Sequence, residues 1–514
     1  MSQARFARIY SRAMQGVDAP EIQVEVHSAN GLPAMTLVGL PEASVKESRD
    51  RVRSALQANG YALPPKRITI NLAPADLPKQ GSRYDLAVAL GVLSATGTLD
   101  FVADLDNYEF LGELSLDGQL RAVPGLLPAV IQARDQGRTV IVPEESLPEC
   151  APVKGARVLG SAHLNDVCAY LLNKQTLTPV SAVPLPSAAP LTPAKDMADV
   201  QGQVQAKRVL EICASGGHSL LMVGPPGSGK SMLAERFPGL LPPLSEADAL
   251  ALAAVHSVAG KERPAERFFQ RHFESPHHSA TSAAMIGGGS GHWIQPGAIS
   301  LAHRSVLFLD ELPEFQRSVL EALREPLETG EVQITRVNQK VRFPAQVQLI
   351  CAMNPTPSGF FPDDPQGRCQ DTPEQIARYQ RKVSGPLLDR IDCHLEVPPV
   401  AYAELSGQQG PTEHESSAQI QARVQACQQR QYARQGCLNS QMPAQAIREQ
   451  WPLSAQGHQL LEKAMQKMGL SARSYHRLLR VARTLADMQS LPDIGVSELS
   501  EALNYRRMAH WGHE

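Results

Sequence analysis

The stretch Gly224-Pro-Pro-Gly-Ser-Gly-Lys-Ser231 follows the apolar run Ser219-Leu-Leu-Met-Val223 and satisfies G-x-x-x-x-G-K-[ST]. A buried strand ending in a glycine-rich turn that opens a helix commits the surrounding chain to a parallel sheet covered by helices. Gly224, Pro225, Pro226, Gly227, Ser228, Gly229, Lys230 and Ser231 are the candidate phosphate cradle, because such a loop turns backbone N–H groups toward phosphate oxygens. Lys230 adds a point charge for the β- and γ-phosphates, and the Ser231 hydroxyl is suited to Mg2+. ATP with Mg2+ is the expected ligand pair.

A second apolar run, Val306-Leu-Phe-Leu309, ends in Asp310-Glu311 and reads as a strand buried on both faces that presents two carboxylates. Asp310 is expected to hold the metal through water, and Glu311 to orient or polarise the attacking water.

The 514 residues are enough for about three domains. With 49 basic and 52 acidic side chains the formal charge is −3, so any polyanion site must be local. Eight scattered cysteines without a C-x-x-C pair give no disulfide framework, and a reducing cytoplasm is the expected setting. Arg5, Arg8 and Arg12 are followed by Gln15-Gly-Val-Asp18 rather than an apolar leader, and no run reaches the roughly 18 apolar residues of a membrane helix.

The composition divides the chain at 175–195, where five prolines lie among Ser, Thr and Ala in the manner of an extended linker. Residues 1–174 alternate strand-like runs (Glu21–Val26, Arg67–Asn71) with helical ones (Ser44–Asn59, Tyr84–Ser94), which predicts an α/β domain. Leu86–Leu99 is uncharged but short, as in a buried helix. Residues 196–400 carry the phosphate loop, the Asp-Glu strand and a third strand, Val347–Met353. Residues 401–514 are poor in glycine and helical in period, as at Leu478, Leu479, Val481, Ala482 and Leu485, which predicts a helical lid.

Together with Asp199-Val-Gln-Gly-Gln203, Gly216-Gly-His218 and Gly297-Ala-Ile-Ser-Leu-Ala-His303, these motifs closely resemble the magnesium-chelatase-like AAA+ ATPases, in the ComM/YifB group associated with natural transformation. The resemblance spans nearly the whole chain. It implies an α/β fold with an AAA+ parallel-sheet core, a helical lid and an N-terminal domain like the Lon protease fold. It also implies that the segment before the phosphate loop lines the adenine pocket, and that Asn354 is sensor 1, Arg390 in Leu387-Leu-Asp-Arg-Ile-Asp392 the arginine finger, and Arg473 sensor 2. Arg477, Arg480 and Arg483 recur by three and read as a solvated helix face.

Two departures from the family pattern matter. Where many relatives carry four cysteines suited to zinc, this chain has Thr356, Ser358, Cys369 and Asp371, so no structural zinc is expected, and the insert 354–371 should be held by its prolines, Phe360 and Phe361. Where the Lon family has Lys-Asp-Gly-Pro-Ser-Ala-Gly, this chain reads Lys79-Gln-Gly-Ser-Arg-Tyr-Asp85. Arg83 takes the place of the nucleophile and Ser82 is one residue out of register, so the domain is expected to be non-proteolytic.

The segment Glu331–Pro344 alternates apolar and polar residues around Asn338-Gln339 and predicts a hairpin with Arg336, Lys340 and Arg342 near its tip. In a ring it would face the pore, as would Met285–Trp293, and basic tips suit a phosphate backbone. His272, His277, His278 and His292 fit no ligand spacing and are assigned to loops. The expected activity is that of a hexameric, ATP-driven DNA translocase, specifically a branch-migration helicase with a recombinase partner. A metal-insertion motor, a protease and an ATP-dependent scaffold are the alternatives.

Overall fold

A computed structural model describes residues 5–39, 42–180, 195–289, 294–336, 339–400 and 415–506. The N-terminal region builds one mixed sheet from β1 (Arg5–Arg12), β2 (Glu21–Ala29), β3 (Ala34–Val38), β4 (Arg67–Ala73), β5 (Tyr108–Phe110), β6 (Thr139–Pro143), β7 (Arg157–Ser161) and β8 (Thr178–Pro179), in the order β8-β7-β6-β5-β1-β2-β4-β3. Alternation puts Ile9, Val24, Val26 and Ile70 on one face, where Leu86, Leu90 and Leu93 of the Asp85–Thr96 helix cover them. The uncharged run is thus a buried helix, as its length required.

The sheet runs past the expected boundary at 174. Val180 N donates to Val158 O, and Leu177 is buried, so β8 lies within the stretch read as linker. Two apolar seats on the sheet edge outweigh the local proline content. The rest of that stretch, 181–194, lies outside the described residues.

The central sheet is wholly parallel: β9 (Leu220–Val223), β10 (Phe273–Glu274), β11 (Val306–Leu309), β14 (Gln348–Met353) and β15 (Cys393–Glu396) lie in the order β10-β11-β14-β9-β15, with the hairpin β12 (Glu331–Arg336) and β13 (Gln339–Pro344) inserted before β14. Period-two alternation turns Leu220, Met222, Phe308 and Ile350 into a cluster with Val209, Leu210, Ile212 and Cys213 of the Val204–Gly216 helix, which packs in turn on the lid helix bearing Leu478, Leu479, Val481, Ala482 and Leu485. Leu221, Val223, Leu307, Leu309 and Cys351 face Ile299, Leu320 and Leu387 on the other side. Both faces are covered, which is why these strands read as unbroken apolar runs.

The lid is helical as expected, with helices Ser417–Gln435, Ala444–Gln450, Ala455–Met468, Ala472–Met488 and Val496–Asn504. The first opens on a reciprocal cap between Ser416 and Gln419 and closes on Gly436. No helix among the described residues is long and apolar enough to cross a membrane.

The N-terminal domain packs on the central domain through two clusters. Leu126 and Val130 join Leu252 and Ala253 in one apolar cluster. Met14 and Val17 rest on Val341 and Phe343 of β13.

Candidate functional site

Strand order brings the phosphate loop, the acidic strand and Asn354 together, because β14 lies between β9 and β11 and all three end on the same side. Gly227 and Gly229 have φ of +77° and +92°, and a Cβ built on either would meet no atom within 4 Å. The loop therefore takes a shape open to glycine and faces empty space, as a phosphate cradle must. Lys230 Nζ donates to Gly224 O at 2.7 Å, Pro225 O at 2.9 Å and Asn354 Oδ1 at 3.3 Å. Burial pushes its pKa below the ordinary lysine value, against the pull of Asp310. Ser231 Oγ donates to Asp310 Oδ2 at 2.7 Å, so the two predicted metal-holding groups converge on one point. The donor set is hydroxyl and carboxylate oxygen, which fits Mg2+.

Glu311 has φ +51° in the left-handed region and opens the short turn Leu312–Glu314. Its carboxylate meets His278, with Oε2 lying 3.1 Å from Nδ1. Gln203 ties the segment before the loop to the loop itself, donating to Ser228 O at 3.1 Å and Pro398 O at 2.7 Å.

The two predicted arginines sit elsewhere. Arg390 Nη2 donates to Glu328 Oε2 at 2.6 Å and Arg473 Nη2 to Glu328 Oε1 at 2.9 Å, so one carboxylate holds both. Their hydrogen bonds hold Glu328 below the usual carboxylate range, Arg390 foremost. They line a cavity of about 750 Å³ with Arg477, Arg480 and Asp392. Arg390 Nε is buried with no partner among the described residues. The backbone of Arg390 accepts from Ser219 Oγ at 3.2 Å, before β9, whereas the phosphate loop begins after β9. The intervening strand spans about 16 Å, beyond an arginine's reach.

Arg477, Arg480 and Arg483 are not a solvated face. Arg477 donates to Asp392 Oδ1 at 2.6 Å, Arg480 to Met442 O, and Arg483, 4% exposed, to Asp487 at 2.7 Å. The helix lies between the Val204–Gly216 helix and the other lid helices, and spacing alone does not say what a face meets. Asp392 also accepts from Ser219 N and Oγ, each at 3.0 Å, and its pKa is held low against its burial chiefly by Arg477. Glu328 escaped sequence reasoning, His278 figures there only among histidines assigned to loops, and Asp392 only as the end of the Arg390 motif, because folding alone gives each its partner.

The four positions that replace cysteines do converge. Thr356 Oγ1 lies 3.2 Å from Ser358 Oγ, Ser358 N donates to Asp371 Oδ2 at 2.8 Å, and Cys369 Sγ is 3.9 Å from the same oxygen. Phe361 packs on the core, and Arg368 lies over the Phe360 ring at 4.2 Å. In the N-terminal domain Arg83, 3% exposed, donates to Arg12 O, Pro124 O and Gly125 O, while Ser82 bonds Glu113 and Lys79 bonds Pro74 O. Serine and lysine are thus spent on different partners.

The hairpin register pairs Arg336 with Gln339, so its turn lies at 337–338, one residue earlier than expected and outside the described residues, as is the side chain of Arg336. Lys340 and Arg342 alternate with buried Val341 and Phe343 and share an exposed face. Position 336 has the opposite parity. His292 and Trp293 also lie outside the described residues.

Sequence profiles of magnesium chelatase subunit ChlI match residues 196–405, with a second ChlI profile matching 24–146 and the ChlI C-terminal profile matching 414–506. The chain belongs to the magnesium-chelatase ChlI family. It is 48% identical over 499 residues to the uncharacterized protein YifB of Escherichia coli, covering 97% of this chain and 96% of that one. It is 44% identical over 506 residues to the competence protein ComM of Haemophilus influenzae, covering 98% and 97%. The family's AAA+ architecture, parallel-sheet core with helical region, is the one observed here.

Proposed function

We propose that the chain is an ATP-hydrolysing AAA+ motor that works as a hexameric ring on DNA. The observation that carries the reading is the shared hold of Glu328 on Arg390 and Arg473 at the far end of β9 from the phosphate loop. A phosphate site with Lys230, Asp310, Glu311 and Asn354, which this chain's own Arg390 and Arg473 do not approach, is completed in this reading when a neighbouring chain supplies them.

In that reading Lys230 binds the β- and γ-phosphates, Asn354 moves from Lys230 to the γ-phosphate or the attacking water, and Glu311 orients the water. Arg390 of one chain neutralises charge on the transferred phosphoryl at its neighbour's site, a contribution of roughly 10³–10⁵ in rate. Arg473 enters with it, since both leave the same carboxylate. Mg2+, held by Ser231 and Asp310, supplies charge neutralisation at the phosphate oxygens when bound.

The DNA half of the reading is supported by the exposed Lys340 and Arg342 on the hairpin and by the name of the competence relative. Branch migration during integration of incoming DNA, in the cytoplasm and with a recombinase partner, is its specific form. A metal-insertion motor remains the second reading, because the matching profiles carry the chelatase name. Mixing the protein with a synthetic four-way junction and ATP separates them. Strand separation with ATP, lost with a non-hydrolysable analogue and in Lys340→Ala/Arg342→Ala, is the expected outcome, with the salt slope of DNA binding falling by up to about one unit per lost contact. Unchanged junction processing in the double variant would move the DNA surface elsewhere.

A further inference from the structure

Arg83, the residue that displaces the serine register, is buried, and its three acceptors border two segments that meet the central domain. Nη1 donates to Arg12 O at 3.3 Å, where β1 ends and the loop 13–20 begins. Nη2 reaches Pro124 O and Gly125 O in the turn before the Leu126–Asp135 helix. Both segments lead to the hairpin.

The loop does so directly. Gln15 Nε2 donates to Lys340 O at 3.2 Å, Met14 and Val17 rest on Val341 and Phe343, and a Cβ on Gly16 would stand 2.7 Å from Val341 Cγ1 and 2.9 Å from Arg342 O. The loop thus takes the buried face of β13 and leaves the side chains of Lys340 and Arg342 exposed. The turn acts through one intermediary. Gly125 N donates to Ser257 O at 3.1 Å and Leu127 N to Ser257 Oγ at 3.2 Å, while Ser257 Oγ donates to Glu149. The next residue, Val258, packs in the same cluster as Val341 and Phe343. Loop and turn also meet each other, since a Cβ on Gly125 would stand 2.9 Å from Met14 Sδ.

Burying a cation among uncharged carbonyls costs stability that an apolar side chain of similar volume would not. What a planar guanidinium adds is geometry, because its fork holds two chain segments at a fixed spacing. Phosphate contacts made from a hairpin already held in place also cost less ordering on binding. We propose that Arg83 is a positioning residue that locks loop and turn into one seat for the hairpin, so that the N-terminal domain presents Lys340 and Arg342 to nucleic-acid phosphates as a fixed pair. The proposal rests on the assignment of Lys340 and Arg342 to DNA.

Full-length Arg83→Met, Gly16→Ala, Lys340→Ala/Arg342→Ala and the triple variant that adds Arg83→Met to the hairpin pair test it, by affinity for a fluorescent duplex oligonucleotide and by ATP turnover with and without that duplex. Arg83→Met should weaken DNA binding about tenfold and lower DNA-stimulated turnover, with basal kcat and KM for ATP unchanged. Gly16→Ala pushes the loop off β13 and leaves the acceptors of Arg83 in place, so it should behave alike and carries the test should Arg83→Met unfold. The triple variant should bind DNA no more weakly than the hairpin pair alone, because Arg83 acts through those two side chains. Native DNA affinity in both Arg83→Met and Gly16→Ala, or a triple variant weaker than the pair, overturns the seat while leaving the hairpin assignment intact. Native affinity in Lys340→Ala/Arg342→Ala overturns that assignment and the seat with it.

Discussion

Arginine is used in opposite ways at two places in the molecule. In the N-terminal domain Arg12, 2% exposed, makes a two-pronged pair with the fully buried Glu109 at 2.7 Å and donates its remaining nitrogen to Ala19 O. Arg83 is likewise spent on three backbone carbonyls of its own chain. In the AAA+ region Arg390 and Arg473 share one half-exposed carboxylate, and Arg390 keeps a buried nitrogen without a partner among the described residues. Arg390 also donates Nη1 to Pro386 O at 2.8 Å, so the contrast rests on the shared carboxylate: a guanidinium whose donors are all satisfied within its own domain is structure, whereas one with an unpartnered nitrogen and an exchangeable carboxylate can change partner.

The comparison breaks most sharply at the finger. Arg390→Ala should lower kcat by roughly 10³–10⁵ while binding a fluorescent ATP analogue normally, and should regain turnover when mixed with Glu311→Gln. Mixed rings that stay inactive at every ratio would return Arg390 to a structural role. On the other side, Arg12→Leu leaves Glu109 buried with only the longer Arg138 contact and should cost about 3 kcal/mol of N-terminal-domain stability, read by denaturant melting. Basal ATP turnover at low temperature should hardly move. A large kcat loss there would mean that the domains are not the separate devices described.

Acid should sharpen the contrast. Burial, and secondarily Arg506, drives His394 down to about 3, and burial drives His256 and His303 to about 4. These folded-state values lie below the unfolded histidine value, so the unfolded chain binds more protons and the AAA+ region loses stability as pH falls below about 6.5, with His394 alone costing about 2 kcal/mol between pH 7 and 5. In the N-terminal domain burial raises Asp85 and Glu149 above their ordinary values. The folded state there holds more protons, so their contribution strengthens as pH falls. All three tryptophans follow residue 195, so tryptophan fluorescence reports the region beyond the N-terminal domain. Its unfolding midpoint should fall between pH 7 and 5 more than the midpoint from circular dichroism. The smallest effect belongs to Arg5→Ala: its pair with Asp100, at 3.0 Å with 51% and 81% exposure, should contribute less than about 1 kcal/mol, and a larger loss would show that exposed arginines also matter here.

The strands of the motor and the buried helix were legible because their signals are local: period two, apolar runs, and a glycine-rich turn at a strand end. Arg390 and Arg473 were named through family resemblance, and their common partner was not. The arginines spaced by three were misread because periodicity gives a face without saying what covers it, and β8 because two apolar seats on a sheet edge outweighed a proline-rich composition.

By itself the sequence determined the phosphate loop, the acidic strand, the order of the domains and the loss of the serine register at Arg83, since each depends on residues adjacent in the chain. Tertiary structure alone decided that Glu328 holds two arginines 62 and 145 residues away, that Asp392 joins β9 to the lid, and that His278 reaches Glu311. Those contacts follow from strand order and helix packing, which place residues side by side without regard to their separation along the chain.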